Sequence, residues 1–247
     1  MTDSRKNVIL VVLFTITMPL AVVFSTNLAR SSFEKVKLRD QVITVKGYAE
    51  RPIVSDRATW STAIVERQPD LKAAYAKLEA DRAALLKFLA AQGFAADQVD
   101  PAPVNIAVVY SKDKEGHNTN TIEGYNVTQV FGIASNDVQK VAKVAREVSD
   151  LIRDGTELNS SSPQYLFTKL DQAKLEMIGE ATANARQRGE QLVSGSHNRL
   201  GPLRGASQGV FQITPAYSTE VSGSGENDTG SINKVIKAVV TLEFAIE

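Results

Sequence analysis

The sequence predicts an α+β fold, with helices packed on a largely antiparallel sheet and one transmembrane helix at the N-terminus. Three observations carry this. Apolar and polar residues alternate in several segments, other segments repeat at helical spacing, and the 22 residues from Val8 to Ala29 hold no charge. At about 1.5 Å per residue that run reaches roughly 33 Å, enough to cross a hydrocarbon core near 30 Å. A cleaved signal peptide has a shorter apolar core of about 7–15 residues ending at small residues. Here only the pairs Asn27/Ala29 and Val23/Ser25 offer such an exit. An uncleaved anchor is the expectation and a removed signal the alternative. The expected layout is a cytoplasmic tail (1–7), a transmembrane anchor (8–29), a juxtamembrane linker (30–41) and one large domain (42–247). Arg5 and Lys6 precede the run, while Arg30, Lys35, Lys37 and Arg39 follow it. Long domains translocate largely regardless of such charges, so the large domain is placed outside the cytoplasmic membrane.

Within 42–247, VITVKGYAE and ATWSTAIVE alternate as neighbouring strands, the second with Trp60, Thr62 and Ile64 on one face. Pro69 and Asp70 open a helix striped by Leu71, Tyr75, Leu78, Leu85 and Leu89 and stopped by Gly93. Val104–Tyr110 and Ile122–Ala134 read as strands joined by a polar connection. A second helix is expected from Asn136 to Gly155, with Asn136 and Gln139 as a capping box. An extended piece at 164–168 leads to a third helix, 171–193, whose Ala173, Ala181, Ala183 and Ala185 permit close packing. A further strand, GVFQIT, precedes the polar segment 217–231, expected as a mobile loop. INKVIKAVVTLEFAIE closes the chain as a long strand.

Lys plus Arg equals Asp plus Glu at 28 each, so no global field recruits a polyanion and nucleic acid is not an expected partner. With no Cys there is no disulfide, thiolate zinc site or cysteine nucleophile. The two histidines, His117 and His197, are eighty residues apart, so no local spacing prepares a metal site. His117, near Asp113 and Glu115, reads as an exposed loop residue, and His197 as the complement of a helix C-terminus. Ser160, Ser161, Ser162, Ser194 and Ser196 lie in no nucleophile elbow and read as turn residues. Glu176 and Glu180 share a helix face with Lys174 nearby, a solvated pattern. Trp60, Tyr48, Tyr75 and Phe88 fall at core spacing. A pocket lined by them is what a ligand-binding role would require.

ITVKGYAE, LKAAYAKLEADRAALLKFLAAQGF, EGYNVTQVFGI, DVQKVAKVAREVSDLI and ATANARQRGEQLV followed by LGPL occur in an order and spacing that resemble the SIMPL-domain family of bacterial envelope proteins. The resemblance implies an α+β envelope domain, and together with the uncharged run 8–29 this gives the expectation of a domain in the periplasm held to the inner membrane by a single pass. The resemblance also implies a link to oxidative-stress tolerance and large ring-like homo-oligomers. It supplies no catalytic, cofactor or metal residues. The expectation is therefore a non-enzymatic, self-assembling envelope scaffold without cofactor, or alternatively a binding module for a small apolar or envelope ligand. Assembly is expected through strand edges, the C-terminal strand among them, and through Ala181 and Ala185, unless those surfaces pack inside the monomer.

Overall fold

The computed structural model describes residues 41–219 and 222–247, together with Met18, Ser25 and Thr26. Apart from Met18, Ser25, Thr26 and Gln41, the expected tail, anchor and linker lie outside the described residues. Among the described residues no helix is long and apolar enough to cross a membrane.

The architecture is α+β with antiparallel-rich sheets. In chain order come β1 (Val42–Val54), β2 (Arg57–Gln68), α1 (Leu71–Ala91), a 3-10 turn (Ala96–Gln98), β3 (Val99–Pro101), β4 (Asn105–Lys112) and β5 (Asn118–Ser135). There follow α2 (Val138–Glu147), α3 (Asp150–Arg153), β6 (Leu158–Ser160), β7 (Gln164–Leu166) and α4 (Leu170–Ser194). The chain closes with β8 (Leu200–Gln208), β9 (Gln212–Pro215), β10 (Glu226–Asn227) and β11 (Asn233–Ile246). Among the described residues two compact units form: Glu50–Leu175 with Val210–Lys237, and 41–49 with Glu176–Gly209 and Ala238–Glu247.

In the first of these units β2 and β5 are antiparallel from Ala58 opposite Ser135 to Gln68 opposite Tyr125. β3 and β4 pair with the other edge of β5, and β6 and β7 with the other edge of β2, all antiparallel. The alternation of β2 and its register with β5 put Trp60 and Ile64 of β2 and Phe131 and Ile133 of β5 on one face, where α1 and α2 bury them with Leu78, Leu85, Leu89, Val141 and Val144. Asp70 caps α1 by accepting the Ala73 N–H at 2.9 Å, and Gly93 ends it at φ +80°, both as the sequence predicts. The second helix departs from expectation at both ends. Its cap is Asp137, which accepts the Lys140 N–H, so Asn136 and Gln139 form no capping box. After Val148 its backbone tightens, with Ile152 N–H donating to Ser149, and α3 is a separate turn.

The segment expected as a mobile loop is tied down from Ser222 on. Gln212 holds Ser222 through both amide atoms, β10 runs parallel to β9, and Thr229 accepts the Tyr165 N–H. Asp228 and Lys234 complete the tether.

In the other unit β11 is flanked by β1 on one side and on the other by β8, in register from Val240 opposite Gln208 to Ile246 opposite Leu200. β8 escaped the sequence reading because LGPLRGASQ, with two glycines and a proline, lacks alternation. α4 packs on β1, and the Tyr48 N–H donates to Asn184 Oδ1 at 3.1 Å. Ala181 and Ala185 are wholly buried there. These contacts correct the expected assembly surfaces: the alanine face and the C-terminal strand are both used inside the chain.

Candidate functional site

Three features of the Glu50–Leu175 and Val210–Lys237 unit stand out. The first is an arm. β2 ends opposite Tyr125, but β5 begins seven residues earlier, paired only with β4 among the described strands. The result is a two-stranded ribbon that runs past the rest of its sheet. Ile106, Val108 and Tyr110 alternate along β4, and Ile122 stands opposite Tyr110. All four are exposed, Ile106 and Ile122 at 49% each. The apolar face that α1 and α2 cover on the sheet thus continues onto the ribbon without cover.

At its tip, Asp113, Glu115 and His117 offer ligand atoms within 4.8 Å of one another, all exposed. Asp113 Oδ1 already accepts the Glu115 and His117 N–H groups at 2.9 Å, which makes the carboxylate part of the turn. His117 is an exposed loop residue, as its sequence context predicts.

The second feature is an open cleft of about 740 Å³. Its floor is the sheet face opposite the helices, at Ser61 and Gly132, and its walls carry Asp97 and Asp100 on one side, Ser161 and Gln164 on the other. Ser160 Oγ and Ser161 O accept the Trp60 Nε1–H at 3.1 and 3.0 Å, so these serines fix the indole. Of the aromatics flagged in the sequence, Trp60 is core, Phe88 is partly buried against that core and Tyr75 is exposed; Tyr48, in the other unit, is exposed as well.

The third feature is buried. Glu66 on β2 and Asp81 on α1 are 2% and 6% exposed. Lys77 Nζ lies 2.6 Å from both Asp81 oxygens, 3.1 Å from the Gly155 carbonyl and 3.9 Å from Glu66 Oε1. Glu66 Oε1 accepts no hydrogen bond. Burial, then the hydrogen-bonded Asp81 carboxyl, push Glu66 up to about 7, although Lys77 opposes them. Sequence reasoning missed this pair, yet a signal was present. Glu66 continues the inward series Trp60, Thr62, Ile64, and Asp81 falls in the stripe Ala74, Leu78, Leu85.

The remaining sequence candidates stay apart. His197, at φ +60°, ends α4, and Ser194 and Ser196 bond back to Gln191 and Val193 carbonyls. Glu176 and Glu180 are exposed on α4.

Fold and surfaces define an α+β domain that, among the described residues, carries an exposed apolar β-ribbon. The chain belongs to the SIMPL family, described as a protein of unknown function (DUF541), whose model matches residues 43–244. It is also similar to a UPF0145 protein of Picosynechococcus sp. (strain ATCC 27264 / PCC 7002 / PR-6), 30% identical over 103 residues, which is 42% of this chain and 93% of the relative.

Proposed function

We propose that this protein is a membrane-anchored envelope scaffold, without enzymatic activity, that assembles with copies of itself through the β4–β5 arm. The observation that carries this reading is the uncovered row Ile106, Val108, Tyr110 and Ile122 on a ribbon with unpaired edges. A two-stranded hairpin is marginal in water by itself, and exposed apolar surface beside open strand edges favours pairing with another chain. A second copy supplies the same apolar row and the same edge, as a symmetric interface requires. The uncharged run 8–29 supports an anchor in the inner membrane with the large domain in the periplasm, and anchoring raises the local concentration of arms. The link to oxidative-stress tolerance rests on the family resemblance alone.

Native mass of the full chain in detergent tests the reading. The wild type is expected as a closed oligomer, and the double variant Val108→Lys, Ile122→Lys as a folded monomer. A wild type that is monomeric at about micromolar concentration, or an oligomer unmoved by both lysines, overturns it.

A further inference from the structure

We propose that the Glu66–Asp81 pair is a buried proton site whose occupancy decides whether Lys77 holds the turn at Gly155 to α1. Two carboxyl groups face one ammonium group. With both carboxyls ionised, the site carries a net negative charge where Glu66 Oε1 is buried and accepts no hydrogen bond from the described residues. One proton between the two carboxyls removes that charge and supplies the missing donor. The groups facing Glu66 are Lys77 and Asp81 from α1 and Glu157 from the segment before β6. From β5 its opposite residue is Val127, and Gln129, two residues on, has a buried Oε1 that likewise accepts nothing. No element packed against Glu66 offers a second cation among the described residues.

With the proton in place, Lys77 divides its bonds between Asp81 and the Gly155 carbonyl. When the proton leaves Glu66 for solvent, a second carboxylate charge appears 3.9 Å from Nζ. The Lys77 side chain is 40% exposed and has room to swing toward it. The Gly155 carbonyl, a neutral acceptor, loses that competition. The turn it leaves behind is then held by the Gly155 and Thr156 N–H groups bonding to Ile152 and Leu151, at a glycine with φ +91°. The raised affinity of Glu66 for its proton puts this exchange near neutral pH. The inference stands independently of assembly through the arm.

Hydrogen exchange by mass spectrometry on the full chain in detergent reads the switch, with rates corrected for the chemical effect of pH. Between about pH 6 and about pH 8, peptides covering 154–158 are expected to lose protection roughly fivefold in the wild type. Glu66→Gln, which keeps the donor and cannot ionise, is expected to hold the same protection at both. A wild type without the change, or a Glu66→Gln protein that responds equally, overturns the proposal. Should Glu66→Gln not fold, Asp81→Asn decides: it is expected to move the midpoint to lower pH, and an unmoved midpoint is the adverse result.

Discussion

Gly47 of β1 sits against Ala185 of α4 with no room for a side chain. A β-carbon at Gly47 would stand 2.6 Å from Ala185 Cβ and 2.7 Å from its nitrogen, and closer still to the Ala181 carbonyl oxygen. Real β-carbons do not approach backbone that closely, so helix or strand must move to admit one. Gly47→Ala is therefore expected to destabilise the unit by about 3 kcal/mol or to prevent its folding, against roughly 1 kcal/mol for an ordinary substitution. Ala185→Glu should act the same way, as loss of the fold and not as release of a folded monomer. Chemical unfolding and native mass, measured together, separate the two outcomes.

Glu66 makes stability pH-dependent in a defined direction. Its carboxyl is raised from 4.5 to about 7 in the folded chain. Below the unfolded value the contribution is fully present, because both states carry the proton. As pH rises from there, the unfolded chain ionises first and stability falls, until the loss is complete once pH passes the folded value. The expected loss is about 3 kcal/mol between pH 4.5 and about 7, and Glu66→Gln should abolish most of it. Urea titrations across that range, followed by the single tryptophan, Trp60, give the slope. A slope unchanged by the substitution would count against the assignment.

Strands, helices and their caps were legible where a local rule and the tertiary structure agree. Trp60, Thr62 and Ile64 alternate because one face of β2 is covered, and Gly93 marks a helix end because only a left-handed residue fits there. Surfaces were less legible. A small-residue face such as Ala181 and Ala185 reads the same whether it meets β1 of its own chain or another copy. The arm was hidden for the opposite reason: Ile106, Val108 and Tyr110 alternate like any covered strand, and only the pairing pattern reveals that β2 ends before the ribbon does. The buried carboxyl pair needed two elements brought together, although an acid at an inward position of each was visible in the alternation.

The two histidines should behave differently when changed. His117 is exposed at the arm tip, and His117→Ala is expected to shift stability by less than about 0.5 kcal/mol. His197 holds φ +60° at the end of α4, a conformation glycine adopts without steric cost. His197→Gly should be neutral or stabilising by up to about 1 kcal/mol, while His197→Ala, which keeps a β-carbon in the same conformation, should change stability by less than about 0.5 kcal/mol. Thermal denaturation of the three single variants checks the ordering. A large loss from His117→Ala would reveal a role for the tip that its exposure and turn bonds do not explain.

Lys234 is 2% exposed, yet its ammonium group has Asp228 as partner through the backbone carbonyl and, at 3.5 Å, Oδ2. Burial lowers the Lys234 affinity for its proton, partly offset by Asp228. Burial also raises Asp228, but the Gly230 amide, the Ser231 side chain and Lys234 outweigh it and hold that carboxyl below its ordinary value. The Asp228 contribution is thus present above the unfolded value and is lost as pH falls through the folded one. This pair fixes the segment that also gives Tyr165 its backbone acceptor at Thr229. Lys234→Met keeps the apolar stem and strands a largely buried carboxylate, at an expected cost of about 3 kcal/mol. Combining it with Asp228→Asn should recover part of that loss, since no unpaired charge remains, and a double-mutant cycle in urea measures the coupling. Proteolysis between Ser222 and Ser231 should quicken in the single lysine variant. If stability and cleavage both stay at wild-type levels, the segment is held by Gln212 and the β9–β10 pairing, and the buried lysine is not what fixes it.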